Sequence, residues 1–74
     1  MTKALKIAVD YCNENIPDFQ ERVRMAIVKM EYWGCPLIQV DCSLYDDIQD
    51  AMADCAEDYE IDVEDISIED IVWA

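Results

Sequence analysis

Turn-forming residues are scarce in this chain, and their scarcity constrains the fold more than any other feature. There is one glycine and there are two prolines among the 74 residues, while 54% of the residues are hydrophobic. Tight turns draw heavily on glycine and proline, so a chain with so few of them favours long regular elements, which indicates helices. A chain of this length has room for one core only. We therefore expect a single helical domain over residues 1–74.

Apolar residues recur at helical spacing in three segments of the sequence. We predict helices over residues 3–13, 17–33 and 44–59. Gly34 and Pro36 end the second helix, and Ser43, followed at the third helical position by Asp46, is predicted to cap the third. The positions predicted to face the core are Leu5, Ala8, Val9 and Cys12; Phe19, Val23, Ala26, Ile27, Met30 and Trp33; and Leu44, Ile48, Ala51, Met52, Cys55 and Tyr59.

Two segments are less regular. Residues 37–40 form an apolar link that is either extended or one irregular turn. Residues 60–74 alternate as a strand does, but a lone strand has no partner, and Ser67 resembles the start of a short helix through Val72. We predict short helical turns for this tail. The expected fold class is thus all-α, a compact three- or four-helix bundle with a short irregular or helical C-terminal segment.

The net negative charge of the chain comes entirely from its second half. Residues 1–40 hold five acids and five bases, whereas residues 41–74 hold thirteen acids and no base, which accounts for the net charge of −13. Phosphate groups bind to Lys and Arg, so direct binding to nucleic acid or to an anionic membrane is disfavoured. No segment is apolar for long enough to span a membrane, and the N-terminus does not resemble a signal peptide. We expect a cytoplasmic location.

Six of the acids lie on one face of the third predicted helix, and two interpretations of this face are open. A series of carboxylates about 3 Å apart along the axis approaches the 3.4 Å phosphate spacing of one DNA strand, so the face could occupy a basic groove that normally holds nucleic acid. The other reading is a solvated face that gives solubility. The six residues are Asp46, Asp47, Asp50, Asp54, Glu57 and Asp58.

Each of the first two helices also carries a second apolar stripe. These stripes are Ala4, Ile7 and Tyr11 in the first helix and Met25, Val28 and Tyr32 in the second. Either each helix is sandwiched between two others, or a stripe forms an exposed patch that meets a partner or a second copy. Sandwiching explains one such helix more easily than two, so a homodimer or a docking surface is a second hypothesis.

Metal and catalytic chemistry have little support in the sequence. The chain has no His, and Cys12, Cys35, Cys42 and Cys55 lack the paired spacing of a zinc module. A disulfide between Cys35 and Cys42 is conceivable, but the reduced state is expected in the cytoplasm. One glycine cannot form a phosphate-binding loop. We predict no enzyme activity, no metal and no cofactor.

Asp41, Cys42, Ser43 and Leu44, followed by an acidic helix, resemble the acyl carrier proteins, which are small acidic helical bundles. The resemblance covers about 20 residues and implies that Ser43 carries a phosphopantetheine arm. It also implies that the helix from Leu44 docks on basic patches of partner enzymes. Cys42 stands where that family has an Asp, and two predicted helices precede the motif where the family has one helix and a long loop.

The function predicted from these features is that of a non-enzymatic acidic binding protein. It would inhibit a partner by engaging its basic, nucleic-acid-binding surface, as phage-encoded mimics of nucleic acid do against CRISPR effectors and restriction enzymes, in the cytoplasm of the host cell. The alternative is an oligomerisation or adaptor module that docks through Met25, Val28 and Tyr32. An acyl-carrier-like protein is the third reading.

Overall fold

The computed structural model describes residues 2–74, which contain five helices and one short 3-10 turn. The elements in chain order are α1 (Lys3–Asn15), α2 (Phe19–Trp33), α3 (Leu37–Val40), α4 (Cys42–Tyr59), the 3-10 turn (Val63–Asp65) and α5 (Ile68–Val72). Three long helices and two short ones confirm the all-α bundle, and α5 confirms that the tail is helical.

Helix α4 is the centre of the bundle. It packs against α1, α3, α5 and the 3-10 turn, and α1 is its most extensive neighbour. Leu44 and Ile48 of α4 and Leu37 of α3 have no exposed surface, and Cys12 and Cys55 are 1% exposed. Burying such side chains is the main force that holds the fold together. The polar face of α4 is thereby fixed outward.

Helix α2 lies at the side of the bundle and packs mainly on α3 and α1. Phe19, Ala26 and Met30 are buried, whereas the opposite side of the helix faces outward. The helix begins at Phe19, after Asp18, whose backbone is left-handed with φ 55°. Pro17 therefore precedes the helix, whereas the sequence had placed it in the first helical turn. Gly34 ends it at φ 63°, as the sequence indicated.

Asp41, not Ser43, caps helix α4, so the predicted cap was wrong. The Asp41 carboxylate accepts hydrogen bonds from the Leu44 N–H at 3.0 Å and from the Ser43 hydroxyl at 2.9 Å. The Asp41 N–H also donates to the Leu37 carbonyl at 2.8 Å, which closes α3. One residue therefore ends α3 and starts α4, and the link over residues 37–40 is a helical turn.

The pKa of Asp41 reflects this role. Partial burial by itself would raise the pKa, but the hydrogen bonds from Leu44 and Ser43 and the charges of Arg22 and Lys29 outweigh it, and the net pKa is lowered. A carboxylate with a lowered pKa stabilises the fold at pH values above the ordinary Asp pKa. That contribution is lost as the pH falls through the lowered pKa.

Replacing Asp41 with Ala is expected to lower the free energy of unfolding at pH 7 by about 1–2 kcal/mol, because the first turn of α4 loses its cap. Ser43→Ala is the matched control and should cost clearly less, since the Ser43 hydroxyl binds only side chains. Urea denaturation followed by circular dichroism measures both. The gap between the variants should close as the medium is acidified towards pH 2. Equal losses at pH 7 would contradict the assignment of the cap.

Two aromatic residues predicted to face the core lie largely outside it. Trp33 is 59% exposed and Tyr59 is 55% exposed. Both are the last residues of their helices, where the neighbouring elements no longer cover them. The ring of Tyr59 makes only an edge contact with Tyr11, with ring centroids 6.0 Å apart. The helical pattern was right for these faces, but it extended past the end of the core.

Candidate binding surfaces

The six predicted acids form one continuous surface on α4, which we call the acid face: Asp46, Asp47, Asp50, Asp54, Glu57 and Asp58. All six residues are exposed. At 100° per residue they occupy about 120° of the helix circumference, and the buried residues of α4 occupy the opposite side. Because Leu44, Ile48 and Cys55 anchor that opposite side, the carboxylates project from a rigid helix.

Two of the six carboxylates have partners within the fold. Asp47 forms an ion pair with Arg22 of α2, with 2.7 Å between Oδ2 and Nη1. Asp58 accepts a hydrogen bond from the Tyr11 hydroxyl at 3.1 Å. Partial burial, followed by this hydrogen bond and the nearby charge, raises the pKa of the Tyr11 hydroxyl. Asp47 and Asp58 lie about 20° apart around α4, so both contacts are on the same edge of the acid face.

The other four carboxylates are uncompensated. Across residues 2–74, no hydrogen bond or ion pair reaches the side chains of Asp46, Asp50, Asp54 or Glu57. Asp46, Asp50 and Asp54 are four residues apart, so like charges repel along the helix at some tenths of a kcal/mol per pair. A cation supplied from outside the chain would relieve this repulsion.

A groove runs beside the acid face between α1 and α4. Asp50 and Asp54 form one wall, and Ile16 and Pro17 contribute apolar surface to the other. A Lys or Arg side chain suits such a groove, because its methylene stem packs on apolar atoms while its charged head reaches a carboxylate. The complete lining is Tyr11, Asn15, Ile16, Pro17, Asp47, Asp50, Ala51 and Asp54.

The second candidate surface is the apolar stripe of α2, formed by Met25, Val28 and Tyr32. These side chains are 57%, 61% and 82% exposed, so the stripe is a surface feature and not a second buried face. Trp33 and Ile38 are also exposed, at 59% and 46%, and sequence reasoning missed both because it placed them in the core or the link. Trp33 lies about 140° around α2 from Val28 and borders the stripe through an edge contact with Tyr32, with ring centroids 6.2 Å apart. The position of Trp33 directly before Gly34 could have indicated its exposure, because the last residue of a helix often lies beyond the elements that cover the rest of it.

The second apolar stripe of α1, formed by Ala4, Ile7 and Tyr11, is less exposed than the stripe of α2. Ala4 and Tyr11 are partly buried and pack against the core, and Ile7 is half-buried. Helix α1 is therefore sandwiched within the bundle, whereas α2 is not. The α1 stripe is thus partly buried within the bundle, and the α2 stripe is exposed.

Ser43, the residue that carries the acyl-carrier resemblance, is exposed in the first turn of α4. Its hydroxyl donates to the Asp41 carboxylate and accepts from Nη2 of Arg22 at 3.4 Å. Two long helices and the α3 turn precede it, so the arrangement before the motif departs from the family pattern as the sequence indicated.

Two of the four cysteines are buried in the core. All four are free thiols; Cys12 and Cys55 are buried as predicted, Cys35 is partly exposed and Cys42 is exposed. Burial raises the pKa of the Cys12 thiol to about 11, and burial followed by the charge of Asp58 raises the pKa of Cys55. Thiols with raised pKa values are poor nucleophiles at neutral pH.

Neither metal ligation nor a membrane span is evident in residues 2–74. No group of three Cys, Asp or Glu side chains in this part of the chain is arranged to hold a metal ion. None of its helices combines the length and the apolar character needed to cross a membrane.

Fold and surface together define a small helical domain with an acid face on one helix and an apolar stripe on another. No protein-family model matches the chain, and no curated protein or solved structure is significantly similar to it.

Proposed function

We propose that this protein binds, through the acid face of α4, a basic surface that another protein uses to hold nucleic acid, and thereby inhibits that protein. The observation that carries the proposal is the set of four exposed carboxylates without partners on one side of a rigid helix. They are Asp46, Asp50, Asp54 and Glu57. A basic groove would supply the cations that residues 41–74 of this chain lack.

The spacing of the acid face supports this kind of target. From Asp46 to Asp58 the helix rises about 18 Å, so the five intervals between the six carboxylates average roughly 3.6 Å along the axis. Phosphates along one DNA strand are 3.4 Å apart. Lys and Arg side chains arranged for a nucleic-acid backbone would therefore find carboxylates at a similar interval. Complementary charge of this kind speeds association and selects the partner.

The residue types add support. Five of the six residues of the acid face are Asp, which is a poorer helix former than Glu. Four of them follow one another at intervals of four residues, with no Lys or Arg between them to reduce the repulsion. A small domain has little stability to lose. A face that served solubility alone could use Glu and mixed charges without this penalty. Phage-encoded inhibitors of CRISPR effectors and restriction enzymes are proteins of the proposed type.

A tagged pull-down from nuclease-treated lysate of the host cell tests the proposal. We expect a nucleic-acid-binding protein to be retained at low salt, to elute as NaCl rises, and to be displaced by added DNA or RNA, because both ligands compete for the same cations. Mass spectrometry identifies the eluted protein. Retention that survives high salt and ignores added nucleic acid would refute the proposal.

A further inference from the structure

The outer side of α2 is an apolar surface that nothing in residues 2–74 covers. Tyr32 contributes the largest part: at 150–250 Å² for a whole aromatic side chain, its 82% exposed fraction amounts to about 170 Å². With Met25 and Val28 the surface reaches roughly 400 Å², which is within the range of the largest apolar patches seen on monomers. Helix α2 is also the helix that carries three of the five cations, namely Arg22, Arg24 and Lys29.

We propose that this surface is the interface of a symmetric homodimer in which the α2 helices of two copies pack antiparallel, with Val28 at the two-fold axis. In such a pair, a residue before Val28 in one copy faces a residue that lies on the same side of the stripe, and about as far after Val28, in the other. Met25 lies three residues before Val28 and Tyr32 four residues after it. The side chains of Met25 and Tyr32 therefore meet across the axis, twice per dimer.

The charges beside the stripe fit the same arrangement. Arg24 lies four residues before Val28 and Glu31 three residues after it, and both are exposed. Seven residues separate them, so they project from the same side of the stripe two turns apart. On antiparallel helices this side faces the equivalent side of the other copy. Arg24 of each copy thus lies opposite Glu31 of the second, which gives two complementary pairs.

The acid face does not obstruct this dimer. Arg22, which contacts Asp47 of α4, lies about 120° around α2 from Val28, so α4 is to one side of the interface. The two acid faces remain exposed. An apolar contact of about 400 Å² per copy is small, which is typical of a weak dimer in exchange with monomer. Because each copy has a net charge of −13, screening by salt should strengthen the dimer.

Sedimentation velocity over a series of protein concentrations, in about 0.15 M and about 0.5 M NaCl, tests this proposal. We expect the unmodified chain to dimerise and to do so more tightly at the higher salt. Val28→Asp should abolish the dimer, because it buries a charge at the axis. Circular dichroism should show the helices of this variant intact, since Val28 is a surface residue. Val28→Asp dimers as tight as those of the unmodified chain would overturn the proposal.

Charge reversal tests the antiparallel register. In Arg24→Glu, residues 24 and 31 are both acids, and in Glu31→Arg they are both bases. Like charges then face each other across the interface, so each variant alone should dimerise about tenfold more weakly. Mixing the two variants should restore dimers, because acids then face bases at both pairs. Lys3→Glu on α1 makes the same change in net charge as Arg24→Glu and should leave dimerisation nearly unchanged.

The failure of this proposal is separable from failure of the proposed function. Monomers at every concentration, or single variants that mixing does not rescue, would overturn the antiparallel dimer. Binding through the acid face should weaken with salt, whereas this dimer should strengthen with salt.

Discussion

Neutralising the four uncompensated carboxylates is expected to weaken binding of the partner by about a hundredfold. The variant is Asp46→Asn, Asp50→Asn, Asp54→Asn and Glu57→Gln. Each exposed ion pair contributes some tenths of a kcal/mol up to about 1 kcal/mol, so four together account for about 2–3 kcal/mol. The slope of affinity against salt should become shallower as well. Biolayer interferometry against the protein recovered from the pull-down, at several NaCl concentrations, measures both quantities.

A control with the same net charge separates the acid face from charge in general. Neutralising Glu14, Glu21, Glu64 and Asp65 also changes the net charge from −13 to −13 + 4 = −9, and all four residues are exposed outside α4. This control should keep most of the affinity. Equal losses in the two variants would show that the partner responds to total charge and not to the acid face. Unchanged affinity in both would remove the electrostatic explanation.

Replacing Ile48 with Ala is expected to lower the free energy of unfolding by about 3–4 kcal/mol. Ile48 has no exposed surface and lies in the middle of α4, the helix on which the other elements pack. A domain of this size has roughly 4–11 kcal/mol of stability in total, so the change removes a large part of it. The melting temperature should fall by about 15–25 °C, as measured by circular dichroism.

Ile38→Ala serves as the control for this experiment. It makes the same substitution on α3, where Ile38 is 46% exposed. Its effect on stability should remain below about 1 kcal/mol. If Ile48→Ala melted within a few degrees of the unmodified chain, the central position of α4 in the core would be wrong.

Helix existence was predictable because it follows from local patterns. The apolar spacing in α1, α2 and α4 and the Ser67 signal at α5 are contained within a few neighbouring residues. The cap of α4 was not, although Asp41 stands two residues before Ser43. Both residues have a side chain that can cap a helix, and the choice depends on how closely α3 and α4 adjoin. That distance reflects the packing of α3 on α4, where Leu37 and Leu44 are fully buried, and no local pattern reveals it.

The candidate surfaces were predictable in outline only. Helical periodicity places the six acids on one side of α4, and the structure does so too. Periodicity cannot show that Arg22 reaches Asp47 or that Tyr11 reaches Asp58, since these contacts join residues 25 and 47 positions apart. They divide the acid face into one compensated edge, formed by Asp47 and Asp58, and an uncompensated remainder. The exposure of the α2 stripe likewise depends on tertiary packing, because α1 has an equivalent stripe that the fold partly buries.

The contact of Arg22 with α4 offers a template for how a foreign guanidinium could be seated on this helix. Its two terminal nitrogens reach Ser43 and Asp47, which are four residues apart and hence on successive turns. The same four-residue step recurs from Asp46 through Asp50 and Asp54 to Asp58. The helix thus repeats one docking geometry along its length at intervals of about 6 Å. A partner that bound this helix as Arg22 does would carry arginine side chains spaced about 6 Å apart along it.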